Sequence, residues 1–89
     1  MPIVLVRDGF EFEIRHNEPE FESPHLHVYK GNEQAKISIG VNNPPKIVRS
    51  VMRTADLRSA YRMVVNNQEY FLAEWRKIHG EVEYRRQGN

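Results

Sequence analysis

Two histidines one residue apart, His25 and His27 in the stretch SPHLHVYKGNEQAKIS at 23–38, are the side chains in this sequence best suited to proton transfer. Imidazole titrates near neutrality, so a pair can supply both a general base and a general acid. Metal-independent RNA cleavage uses such a pair, one group taking the 2′-hydroxyl proton and the other protonating the leaving oxygen. It also needs a cation for the charge that builds on phosphorus. Lys36 and Arg15 are available for that charge, and Tyr29 is placed to position substrate. Two other readings of the histidine pair stay open. One is metal binding, with a third ligand from Glu11, Glu13, His16 or His79. The other is structural, two strand-surface imidazoles bonding to their neighbours. The leading chemistry calls for no cofactor and no metal.

The elements that must position these groups are legible as strands first and helix second. IVLVR at 3–7 and FEFEIR at 10–15 flank Asp8-Gly9, a strong signal for a two-residue hairpin turn with positive φ at both positions. That turn sets Arg7 against Phe10, Leu5 against Phe12 and Ile3 against Ile14. It predicts an apolar face of Ile3, Leu5, Phe10, Phe12 and Ile14, with Val4, Val6, Glu11, Glu13 and Arg15 on a wet face. HLHVYK at 25–30 and AKISI at 35–39 form a second hairpin around the loop GNEQ. Symmetric closure of that loop pairs Lys30 with Ala35, Val28 with Ile37 and Leu26 with Ile39. His25, His27, Tyr29, Lys36 and Ser38 then share the non-core face. The acidic, proline-containing segment HNEPEFESP at 16–24 reads as a solvated connector.

Pro44 and Pro45 end that region, and KIVRSV adds a short edge strand. Thr54 reads as a helix N-cap with Asp56 in the first turn. Leu57, Tyr61, Val64, Gln68, Phe71, Trp75 and Ile78 then recur at steps of three and four, a helical stripe from 57 to 78. Asn66-Asn67 weakens it, which predicts a bent helix or two helices in line, closed by Gly80. Trp75 on that stripe is core, and His79 is a partner for the C-terminal dipole. The expected fold is α+β, a small antiparallel sheet of four or five strands from two hairpins with a C-terminal helix or helix pair on one face. One domain over 1–80 is followed by a polar tail at 81–89.

Composition bounds the rest. A chain of 89 residues with 39% hydrophobic and 28% charged side chains is one globular domain with a thin core, which a homodimer or a partner protein would supplement. It has no cysteine, so disulfide and thiolate chemistry are excluded. The N-terminus lacks the pattern of a secretory signal and no stretch has the apolar length of a membrane span, so the expectation is a cytoplasmic protein. Net charge is only +1 but unevenly spread: residues 1–45 carry four cations and seven acids, residues 46–89 nine cations and five acids. Arg58 and Arg62, one helical turn apart near Arg49 and Arg53, form a basic patch suited to RNA or to a protein partner.

MPIV at the start, SPHLHVYKG at 23–31, AKI at 35–37 and EWRKIHG at 74–80 together resemble a bacterial domain-of-unknown-function family, number four-one-six-zero. Its members usually have two prolines before the first histidine, where this chain reads Ser23-Pro24; the stretch at 41–53 also departs from the pattern. The resemblance implies a small α+β domain, and it carries His25 and His27 over as the positions to test. Members are often encoded beside another small protein, and some are described as toxins of type II toxin–antitoxin pairs. The expectation is therefore such a toxin, neutralised by a cognate small protein, with RNA cleavage as its chemistry if it is an enzyme. The alternative is a non-catalytic binding module, an antitoxin, adaptor or regulator, whose histidines are structural and whose basic helix face meets the partner.

Overall fold

The computed structural model describes residues 2–16 and 23–80. Residues 17–22 of the expected connector at 16–24 and the tail at 81–89 lie outside the described residues. Five strands, β1 (Ile3–Arg7), β2 (Phe10–Glu13), β3 (His25–Lys30), β4 (Glu33–Ser38) and β5 (Lys46–Ser50), pair antiparallel in chain order as one sheet. Two helices follow, α1 (Thr54–Asn66) and α2 (Gln68–His79). Both hairpins therefore share a sheet, and the α+β architecture is the expected one. No helix among the described residues is long and apolar enough to cross a membrane.

Asp8 and Gly9 take φ of 53° and 84°, the double positive φ that a type I′ turn requires, and Arg7 faces Phe10 as expected. Leu5 faces Phe12, but a register shift between Ile3 and Leu5 puts Ile3 against Glu13. Ile3 is consequently 43% exposed, while Val4 packs against the core, the reverse of the regular alternation. The second hairpin is tighter than expected. Gly31 and Asn32 alone make the turn, so Lys30 pairs with Glu33, Val28 with Ala35 and Leu26 with Ile37. The register differs by two residues from symmetric closure of GNEQ, and a slip of two leaves every side chain on its expected face.

One sheet face supplies Phe10, Phe12, Ile14, Leu26, Val28, Ile37 and Ile39 to the core; the helices supply Ala60, Val64, Phe71, Leu72 and Trp75. Phe12 and Phe71 are fully buried with ring centroids 5.2 Å apart, joining sheet to helix. Thr54 is the first residue of α1 rather than its cap; Arg53 takes the cap position without a side-chain hydrogen bond. Asp56 lies in the first turn and accepts a 3.1 Å bond from Lys30, whose ammonium also sits 4.9 Å from the Phe10 ring centroid.

The predicted weak point in the helical stripe is a break. Asn67 has φ −128°, and its side chain caps α1 by donating to the Met63 carbonyl. The polar interruption at Gln68 is explained by its carbonyl accepting from the Gly40 amide at 3.0 Å. Gly80 ends α2 with φ 81°, its amide bonded to the Arg76 carbonyl.

Candidate functional site

Pairing across β2, β3, β4 and β5 builds two rows of side chains that alternate with the core positions. Glu13 opposes His27, which opposes Lys36, which opposes Arg49; His25 opposes Ser38, which opposes Lys46. The alternation that sends Leu26 and Val28 into the core thus gathers two imidazoles with three cations. Lys46 and Arg49 come from the edge strand; the sequence places Arg49 only near the Arg58/Arg62 patch and gives Lys46 no role, whereas the structure sets both beside Lys36 and Ser38. Their only signal was that β5 is basic, and only the β4–β5 register turns that composition into a place.

This face is not the wet one that alternation predicts. His25 is 2% exposed, His27 7% and Glu13 1%. Each polar group must therefore find a partner, and no buried side-chain N or O among the described residues lacks one. The His25 Nδ1 donates to the Ser23 carbonyl at 2.8 Å. A carbonyl can only accept, so Nδ1 carries a proton. The His25 ring packs against His27, edge on, and against Trp75, with both pairs of centroids 5.1 Å apart.

Two clefts open on this face and share Lys36. One, of about 400 Å³, is lined by Ser23, His25, Lys36, Ser38, Lys46, Ile47 and Val48. The other, of about 220 Å³, is lined by His27, Gln34, Ala35, Lys36, Arg49 and Val51. Three cationic side chains, Lys36, Lys46 and Arg49, line the two adjoining clefts, the residue type that meets phosphate. Imidazole groups of this kind can serve in proton transfer, and the Ser38 hydroxyl can donate or accept.

The remaining predicted residues lie elsewhere. Tyr29 donates to Glu13 at 2.7 Å, and Arg15 bonds both Glu13 at 3.2 Å and the Tyr29 oxygen at 2.8 Å, closing a three-residue network. Burial, then the Glu13 bond, pushes the Tyr29 phenol above its ordinary 10.0; the Tyr29 bond is the largest influence raising Arg15. Tyr29 and Arg15 line neither cleft. Arg58 and Arg62 are exposed on α1 and border a different depression, beside β5. Of the candidate third metal ligands, Glu13 lies in the network with Tyr29 and Arg15, and His79 Nε2 donates to the Arg15 carbonyl at 2.7 Å. Among the described residues no three His, Asp or Glu side chains converge as a metal site.

Sequence reasoning missed the tertiary use of His79. It is buried, and its ring lies 4.2 Å from that of Trp75, so Trp75 touches both His25 and His79.

Fold and site together define a small α+β protein with a basic cleft on the outer face of an antiparallel meander. The model for the family described as Domain of unknown function (DUF4160) matches residues 9–76, and the chain belongs to that family. The stretches at 23–31 and 35–37 that carry the resemblance fall inside the matched span. No curated protein and no solved structure matches the chain.

Proposed function

We propose that this protein is the toxin component of a bacterial type II toxin–antitoxin pair. It acts on RNA by metal-independent phosphodiester cleavage and is held in check by a small cognate protein. The observation that supports this reading is the grouping of His25, His27, Lys36, Lys46 and Arg49 around two adjoining clefts. One imidazole of the His25/His27 pair takes the proton of a 2′-hydroxyl while that oxygen attacks phosphorus. The bond from phosphorus to the 5′-oxygen breaks as the other imidazole, protonated, gives that oxygen its proton, leaving a 2′,3′-cyclic phosphate and a 5′-hydroxyl. Lys36, shared by the two clefts, faces the non-bridging oxygens, and Lys46 and Arg49 hold the flanking phosphates.

The test is tightly controlled expression in a bacterial host, with growth and total-RNA integrity followed for the wild type and for His25→Ala/His27→Ala. Lys36→Ala is run beside them because it removes charge at a half-buried position. The double variant's fold is checked by circular dichroism. Growth arrest with RNA fragments ending in cyclic phosphate, lost in both folded variants and persisting for purified wild type in a chelator, supports the reading. Arrest by all three removes these residues from the chemistry, and no arrest by the wild type sinks the toxin.

One observation favours a second reading, a non-catalytic binding module. His25 and His27 are buried and packed on each other, and His25 also packs on Trp75, as structural histidines do. Unimpaired growth and intact RNA with the wild type are the outcomes that select it.

A further inference from the structure

The helix layer leaves part of the sheet uncovered. Beside α1, over β5, runs an open groove of about 440 Å³ lined by Ile47, Leu57, Tyr61 and Val65, with Arg58 and Arg62. Ile47 pairs with Ile37, which is fully buried, so it points into the layer the helices occupy; yet it is 40% exposed, and Val65 is 46% exposed. Ile47 is a core-side position that α1 alone does not cover, and Val65 adds exposed apolar surface from α1 itself. The groove is held in shape from its own wall, because the Tyr61 hydroxyl donates to the Pro45 carbonyl at 2.7 Å and ties α1 to the segment entering β5. A preformed surface of this kind costs little ordering when something binds.

We propose that this groove docks an amphipathic, acidic helix from a second protein. A helix fits because the space continues the layer in which α1 and α2 already pack on the sheet, where a neighbour lies about 8–10 Å away and inserts an i, i+3, i+7 apolar stripe. The acidic character follows from charge. Arg58 and Arg62 are four residues apart on one helix face and no carboxylate among the described residues lines the groove, so glutamates one turn apart on the incoming helix meet them. A two-fold pairing of copies through this surface instead brings Arg58 and Arg62 of both copies into one interface with no carboxylate among the described lining residues to meet them. Ile47 lines both this groove and the cleft containing His25 and Lys46, so the docked helix lies against the strand that forms the cleft's wall. The proposal rests on the two-protein reading above and adds to it the surface and the chemistry of the partner.

The probe is a short, capped, fluorescein-labelled helical peptide with leucines at i, i+3 and i+7 flanked by glutamates. A twin carries lysines in place of the glutamates. Fluorescence anisotropy against the full chain, without RNA, is expected to show saturable binding of the glutamate peptide. Val65→Asp weakens it by at least about tenfold. Arg58→Glu/Arg62→Glu weakens it about tenfold and gains the lysine twin, a rescue that misfolding cannot produce. The proposal is overturned by absent saturation, by equal binding to Val65→Asp, or by wild type taking both peptides alike. A concentration-dependent dimer dispersed by Val65→Asp overturns it too, giving the groove to a second copy. Because binding is read without RNA, failure of the cleavage chemistry leaves this result intact, and the reverse holds.

Discussion

The Tyr29 hydroxyl lies 2.7 Å from Oε1 of Glu13, reaching diagonally from β3 to a carboxylate on β2 that is only 1% exposed. Arg15 completes the contact by bonding both groups. A buried carboxylate is tolerated only while its donors stay in place. Tyr29→Phe is expected to cost about 1–3 kcal/mol, and Glu13→Gln a similar amount, by urea denaturation. A change below a few tenths in both variants would remove the network from the stability of the fold.

The same phenol sets a pH dependence. Burial first, and the Glu13 bond second, raise its pKa above 10.0, so folding favours the protonated form. That contribution is complete below pH 10, where folded and unfolded chains both hold the proton, and is lost as pH rises through the folded value. The stability difference between wild type and Tyr29→Phe should therefore shrink as the solution is taken above pH 10, read from paired urea midpoints. A constant difference across that range contradicts the assignment.

Gly31 has φ 59°, and a Cβ there meets nothing within 4 Å. Gly31→Ala thus isolates the conformational cost of the turn from steric cost, and about 1–2 kcal/mol is expected. Gly31→Asn should cost less, since Asn tolerates the left-handed region better than Ala. Equal losses would mean that the strain is not what the turn selects against.

His79 joins the end of α2 to Arg15 through a 2.7 Å bond and packs on Trp75. His79→Ala leaves the Arg15 carbonyl without that donor and opens one side of the indole. The expected result is a loss of about 1–3 kcal/mol and a red-shifted tryptophan emission. The chain has one tryptophan, so the emission reports this site alone. Unchanged emission would show that His79 does not shield the ring.

Lys46 lines the His25 cleft from the edge strand, whereas Lys77 pairs with Glu74 on α2 at 2.9 Å. If the cleft holds RNA phosphate, Lys46→Ala should lower cleavage by about tenfold or more and flatten its salt dependence, with Lys77→Ala as a matched loss of charge elsewhere. Equal effects of the two variants would reduce Lys46 to bulk electrostatics.

What was legible in the sequence is what depends on near neighbours. Asp8-Gly9 specified a turn because few residue pairs accept two positive φ values, and the alternation of Phe10, Phe12 and Ile14 with acids marked the core side of β2. Steps of three and four identified the helical stripe, and Asn66-Asn67 marked its break. The period of two placed His25, His27 and Lys36 on one face, even though the turn at Gly31 shifted the register by two.

Tertiary structure decided the rest, because burial and cross-strand partners are properties of the assembled sheet. Alternation distinguishes two faces but cannot say that His25, His27 and Glu13 are buried on the second one. The register shift that turns Ile3 outward is likewise invisible in a run of apolar residues, where either neighbour satisfies the core. Trp75 meets His25 across fifty residues, and His79 meets Arg15 across sixty-four. Lys46 and Arg49 join the histidines only through their pairing with β4. Local geometry is written in short-range sterics; the site depends on which distant segments the chain brings into contact, and packing alone sets that.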